Sequence, residues 1–176
     1  SRGLGDVYKR QTGSNGKTST TKIIGKTLKC SSSTIKNYNN EIGMPLSLMN
    51  ASPKSKQLVL EIGASKPRDI DFLSKILNPH IGVITNIGKS HLQQLKNIKG
   101  VLNVKSEIIK NIRSGGFLIV PNENKQHLDY WKNIRSDIKI LTFGMNKKAD
   151  FFATDIKIKQ NGTQFRTVSY THLTLP

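Results

Sequence analysis

The sequence predicts an α/β fold, with a mostly parallel sheet and helices on both faces. Short apolar runs alternate with segments of helical periodicity along most of the 176 residues, which is the order that parallel βαβ units require. A glycine-rich turn, Thr12-Gly13-Ser14-Asn15-Gly16-Lys17-Thr18, stands directly before the first helical segment. No internal repeat or low-complexity linker breaks the alternation, so one domain with its own core is expected. In such folds functional groups gather beyond the carboxyl ends of the strands.

Lys17 to about Lys29 reads as a helix, with Ile23, Ile24 and Leu28 at helical spacing. Residues 33–36 read as a short strand, and the polar stretch from Asn37 to Gly43 as a loop. Pro45 opens a short helix through Met49, because its fixed φ suits a first helical turn. Leu58 to Ile62 is a compact apolar run, read as a buried strand. Asp69 to Leu77 follows as a helix with Asp69 near its N-cap, and His80 to Thr85 as another buried strand. Ile98, Val101, Leu102, Ile108, Ile109 and Ile112 mark a helix over 98–112. Phe117 to Val120 is a strand after Gly115-Gly116, His127 to Ile134 a helix, and Ile138 to Phe143 a strand. Asn161-Gly162, between two alternating runs, signals a hairpin.

The two ends read differently. Residues 1–11 and 167–176 resemble translated adaptor tails and are set apart from the fold, which leaves 12–166 as the expected native stretch. A buried apolar strand normally precedes a phosphate loop, and Asp6 to Gln11 makes a poor one.

Lys and Arg number 28 against 11 Asp and Glu, a formal net charge of +17. Such a charge invites polyanion binding. The lysines are scattered, however, and the arginine forks and aromatic platforms that read nucleic acid are scarce. A lysine-rich solvated surface with no nucleic-acid partner is the expectation. No run of about 18 apolar residues is present, so no membrane-spanning helix is expected. No charged-then-apolar leader is visible. The single cysteine, Cys30, has no partner for an internal disulfide, which fits a reducing cytoplasm.

The glycine-rich turn carries the chemistry. Glycines let a turn wrap closely, so that successive N–H groups point at phosphate oxygens, and the helix that follows adds a favourable dipole. Lys17 can reach the β- and γ-phosphates, and the Thr18 hydroxyl can ligate Mg²⁺. Gln11 stands where the general pattern has its first glycine, but the shorter Thr-Gly-x-x-Gly-Lys-Thr form is complete. Taken alone, the segment is also compatible with a glycine turn that merely caps a helix.

In this form Thr12 to Thr18 is similar to the phosphate loop of the Mur ligases and the folylpolyglutamate synthases. Asn37-Tyr38-Asn39-Asn40-Glu41-Ile42-Gly43-Met44-Pro45-Leu46 resembles an Asn-x-Asn-Asn-x-Ile-Gly-x-Pro-Leu block of the Mur ligases. Leu60-Glu61-Ile62-Gly63-Ala64 resembles their strand-end Glu-x-Gly-Ala, and Thr85-Asn86-Ile87-Gly88 with Ser90-His91-Leu92 their Asn-loop-His-Leu block. Val104-Lys105-Ser106-Glu107-Ile108 resembles an Ala-Lys-x-Glu-Ile helix, and Phe143-Gly144 a strand-closing Phe-Gly. The resemblance spans essentially all of residues 12–166. Its Asn37–Pro45 block favours the branch that joins D-alanyl-D-alanine to UDP-MurNAc-tripeptide. The branch that adds the third amino acid is the alternative within the family.

The resemblance implies a P-loop NTPase-like Mur ligase central domain, incomplete here, that uses ATP and Mg²⁺ to form an amide bond in peptidoglycan precursor synthesis. It implies a cytoplasmic monomer whose complete form has an upstream domain for the uridine nucleotide and a downstream domain for the dipeptide; the present stretch alone is not expected to ligate. By the same resemblance Gly13, Ser14, Asn15, Gly16, Lys17, Thr18 and Ser19 hold ATP. Thr18, Glu61, His91 and Lys105 ligate metal, Lys105 as a carbamate, and Lys17, His91 and Lys105 are the catalytic set. Asn39 and Asn40 face the nucleotide-sugar peptide, and Asn86 is grouped with them as substrate-facing, near the metal. Each has a plainer reading as a strand-end carboxylate, a solvated histidine or lysine, or a turn asparagine. His127, Trp131 and Cys30 receive no role. Arg68 departs from the pattern where a glycine commonly follows the proline; Gln93 replaces an acidic residue, and the usual Phe-Gly-Ser is not recognisable in residues 94–97. A non-catalytic nucleotide- or polyanion-binding module is the alternative of a different class, and it would bind in a salt-sensitive, ATP-independent way.

Overall fold

A computed structural model of the chain describes residues 7–29, 31–34, 38–89 and 92–169. Eight strands form one sheet. In chain order they are β1 (Val7–Thr12), β2 (Ser31–Ser33), β3 (Gln57–Glu61), β4 (Ile81–Ile84), β5 (Phe117–Pro121), β6 (Lys139–Gly144), β7 (Phe151–Lys159) and β8 (Gly162–Ser169). The helices are α1 (Lys17–Thr27), α2 (Gly43–Met49), α3 (Asp69–Leu77), α4 (Leu92–Leu95), α5 (Ile98–Ser106) and α6 (Lys125–Lys132), with a 3₁₀ helix over Glu107–Asn111. The spatial order is β2-β3-β1-β4-β5-β6-β7-β8. Every pair is parallel except β7 with β8. The expected α/β class with a mostly parallel sheet is what the chain adopts.

Strand alternation divides the layers. Leu58 and Leu60 of β3, Ile84 of β4, and Leu118 and Val120 of β5 belong to one core with Ile70 and Leu73 of α3, Val101 and Val104 of α5, and Trp131 of α6. Val83 of β4 and Ile119 of β5 instead line a hollow with Ile24 of α1, and α1 packs on β1, β2 and β3. Helices therefore cover both faces. α1 departs from its expected apolar stripe: Thr21 is its buried residue, and Ile23 is 65% exposed.

Several expectations are corrected. The strand expected at 33–36 lies at Ser31–Ser33, and residues 35 and 36 fall outside the described residues. Asp6 to Gln11 reads as a poor strand, yet Val7–Thr12 is β1, flanked by β3 and β4. Ladder hydrogen bonds come from the backbone, so two neighbours can hold a strand whose own side chains do not announce one. β1 and β8 span the positions 11/12 and 166/167 at which the expected native stretch begins and ends. The helix expected over 98–112 tightens to 3₁₀ after Ser106. There Arg135 donates to the carbonyls of Ile109 and Ile112 and closes the carboxyl end of the turn. The predicted hairpin is present, with Lys159 paired to Gly162.

Trp131 and Lys105 are among the largest fully buried side chains. Trp131 Nε1 donates to Ser106 Oγ at 2.7 Å, and Ser106 Oγ donates to Leu102 O. A buried indole needs that partner, and the bond fixes the last turn of α5, where Lys105 sits.

Candidate active site

The site forms at the carboxyl ends of β1, β3 and β4. β1 delivers the phosphate loop into α1, and Gly16 is left-handed at φ 77°, ψ −2° as that helix's N-cap. A left-handed residue at that turn favours glycine. Gly13 is required by close approach: a Cβ there would lie 1.7 Å from Thr85 Oγ1. Thr85 in turn donates Oγ1 to Asn15 O at 2.7 Å. Lys17 Nζ donates to Gly13 O at 3.1 Å, so its ammonium folds back over the loop. Ser14 and Asn15 line the turn, and Ser19 is exposed in the first turn of α1.

Thr18 Oγ1 donates to Glu61 Oε2 at 2.7 Å, and Asn39 Nδ2 donates to Glu61 Oε1 at 2.8 Å. Glu61 ends β3 and is 2% exposed. A buried carboxylate needs such partners. Gly63 makes room for Asn39, since a Cβ there would lie 2.8 Å from Asn39 Oδ1. The donor set suits Mg²⁺: a hydroxyl and a carboxylate, both hard oxygens, converge beside a loop built to bring phosphate oxygens. Among the described residues, no three His, Cys, Asp or Glu side chains cluster as a metal cage, so the Thr18–Glu61 pair carries the metal reading.

Lys105 lies 1% exposed in the last turn of α5. Burial, and then the positive charge of Lys17, push its ammonium down to about 8, against the opposing pull of Glu107 and Glu61. The carboxyl of Glu107 is raised by burial, opposed by the N–H groups of Arg68 and Asp71. The structure therefore brings Lys17, Thr18, Glu61 and Lys105 into one electrostatic neighbourhood. His91, expected beside them, lies outside the described residues.

The three asparagines bond within the protein. Asn86, grouped with the substrate-facing residues, braces the phosphate loop: its Oδ1 accepts the N–H of Ser14 at 2.8 Å and of Asn15 at 2.9 Å. Asn39 supports Glu61. Asn40 Oδ1 accepts the N–H of Gly43, the first residue of α2, at 2.8 Å. Asn39 and Asn40 both line a cavity of about 660 Å³ with Lys17, Gly63 and Arg68, which keeps them on the open side of the site. Sequence reading missed the bracing roles of Asn86 and Glu107, because each acts on a segment far away in the chain.

Comparison with known proteins places the chain in a family. The model of the Mur ligase middle domain matches residues 12–175. The UDP-N-acetylmuramoyl-tripeptide–D-alanyl-D-alanine ligase of Buchnera aphidicola subsp. Baizongia pistaciae is 38% identical over 158 residues, which are 88% of this chain and 34% of that protein. MurF from Acinetobacter baumannii superposes with a TM-score of 0.81 at 29% identity, covering 94% of this chain and 39% of that one. The MurF ligase from Thermotoga maritima in complex with ADP gives a TM-score of 0.82 at 29% identity, with 94% and 38% covered. The chain spans about a third of the length of the curated relatives it matches.

Proposed function

This chain belongs to the Mur ligase family through its middle domain, and we propose that it is the ATP-binding part of an enzyme that joins D-alanyl-D-alanine to UDP-MurNAc-tripeptide. The supporting observation is the convergence of Lys17, Thr18 and Glu61 at the strand ends with a buried Lys105 beside them. The relatives named for this reaction, and the Asn37–Pro45 block, supply the substrate. Residues 12–166 serve as part of the central domain, and the rest of a complete enzyme recognises the uridine nucleotide and the dipeptide. The enzyme works as a cytoplasmic monomer; no helix among the described residues is long and apolar enough to cross a membrane.

A carboxylate acylates poorly, so the γ-phosphoryl group of ATP is first transferred to it. The incoming amine then attacks the acyl phosphate carbon, loses its proton, and inorganic phosphate leaves. Such transfer depends on positioning and on neutralising charge. Gly13 to Ser19 hold the phosphates, and Lys17 places its ammonium against the transferring group. Thr18 and Glu61 would hold Mg²⁺, with His91 and a carbamylated Lys105 as further ligands. Bound there, the cation would neutralise phosphate charge and orient the phosphoryl oxygens. Burial favours the neutral Lys105 amine that capture of CO₂ requires.

The test follows phosphate release from ATP by the complete enzyme with UDP-MurNAc-tripeptide, with and without D-alanyl-D-alanine. Release that requires both substrates is expected. Release only with the dipeptide precursor and a diamino acid moves the protein to the preceding step. Binding of polyanions that is ATP-independent and falls with salt, with no release, leaves a binding module instead. Carbamylation has its own check: added short carboxylic acids should restore activity to Lys105→Ala.

A further inference from the structure

Lys105 is followed within two residues by Glu107, which opens the 3₁₀ helix. The Glu107 carboxylate reaches α3: Oε1 accepts the N–H of Arg68 at 2.8 Å, and Oε2 accepts the N–H of Asp71 at 3.1 Å. Arg68 is the N-cap of α3 and makes no capping bond with its own side chain. A helix start leaves such N–H groups without intrahelical partners, and here a carboxylate from 36 to 39 residues away supplies two of them. The segment before α3, Gly63 to Arg68, walls the 660 Å³ cavity that also meets Lys17 and Asn39. One side chain thus ties the cavity wall to the turn that carries Lys105.

We propose that Glu107 is a positioning residue for ligation, setting the placement of Lys105 relative to the Gly63–Asp71 wall of the cavity that Lys17 and Asn39 also line. This rests on the ligase reading above. A purely structural role is the competing account, and Asn111 provides the comparison. Its Nδ2 donates to Asp71 O at 3.1 Å, Asp71 Oδ1 at 2.9 Å and Ser74 Oγ at 2.9 Å. It joins the same two elements and leaves the Arg68 amide alone. Glu107→Gln keeps the size of the side chain, but its amide nitrogen sets donor against donor at one of the two N–H groups.

Glu107→Gln is made in the complete ligase, with Asn111→Ala as the control. Amide exchange by mass spectrometry is read together with steady-state phosphate release. Glu107→Gln is expected to speed exchange over residues 66–73 at least tenfold. It should lower kcat at least tenfold while KM for ATP stays within twofold, because the phosphate loop is untouched. Asn111→Ala should keep kcat within twofold even where its melting temperature falls as far. Unchanged exchange in Glu107→Gln, or an equal loss of kcat in both variants, would overturn the positioning role alone. A wild-type enzyme with no substrate-dependent release overturns the ligase reading and this proposal with it.

Discussion

Two loops in this chain leave parallel strands and enter helices with the same backbone conformation at the junction. Gly16 before α1 has φ 77°, ψ −2°, and Arg68 before α3 has φ 75°, ψ −2°. Each loop has amides satisfied from a distant element, the first by Asn86 and the second by Glu107. They differ in what they keep open. The first is glycine-lined, and apart from its chain neighbours no atom of the described residues lies within 4 Å of where a Gly16 Cβ would stand. The second has a fixed protein carboxylate at its helix start. Both loops are braced, the first by a neutral carboxamide and the second by a carboxylate that occupies its helix start.

The largest effect should come from closing the first loop. Gly13→Ala puts a methyl 1.7 Å from Thr85 Oγ1, so the turn must shift. A cost of about 3 kcal/mol is expected from such overpacking, over 100-fold in nucleotide affinity if it falls on the bound form. Calorimetry with ADP measures it. Affinity within threefold of wild type would mean that the loop is not the rigid member of the pair.

Lys105 sharpens the contrast from the other side. Its ammonium sits at about 8 instead of near 10.5, so between those values the unfolded chain holds more protons than the folded one. Stability therefore rises with pH across that window, and the full cost of the buried charge is present below about 8. Lys105→Met should remove the slope and stabilise the protein at pH 7 by about 2 kcal/mol, while ligation is lost. Thermal melts in CO₂-free buffer from pH 7 to 10 check it; a flat wild-type profile would contradict the buried cation.

Asn86→Ala tests whether the first loop's brace helps or competes. Losing two bonds to loop amides should cost about 1–2 kcal/mol, roughly tenfold in ADP affinity. Tighter binding would show instead that the carboxamide occupies the phosphate seat.

What could be read from the sequence followed the same division. The phosphate loop is a contiguous motif with a local mechanism, so Gly13 to Thr18 were legible, as were the apolar runs that became β3, β4 and β5. The Asn37–Pro45 block was recognisable as a pattern, yet its internal logic was not. Asn39 serves Glu61, Asn40 accepts the N–H of Gly43 at the start of α2, and a Cβ at Gly43 would come within 2.5 Å of Tyr38 Cα. The first of these joins two segments, and no spacing rule within one segment reveals it; the other two are local to the block, but they depend on how it turns into α2. β1 escaped notice for a related reason, since its place is held by backbone pairing to β3 and β4. Lys105 looks like any helix lysine until α5 is packed, because burial is a property of the assembled core.

The smallest expected effect returns to the two junctions. Arg68 holds a left-handed conformation that costs a non-glycine residue about 1–2 kcal/mol. Arg68→Gly relieves that strain but frees the unfolded chain, which takes back about 0.5–1 kcal/mol. The difference is a gain of roughly 0.5 kcal/mol, a rise in melting temperature of about 1–2 °C for a chain of this size. The Arg68 N–H bond to Glu107 is a backbone contact and survives the change, so the brace itself should stay intact. Differential scanning calorimetry on wild type and variant decides the sign. A loss of more than about 1 kcal/mol would mean that the Arg68 side chain, which lines the cavity beside Lys17, contributes more than its backbone strain costs.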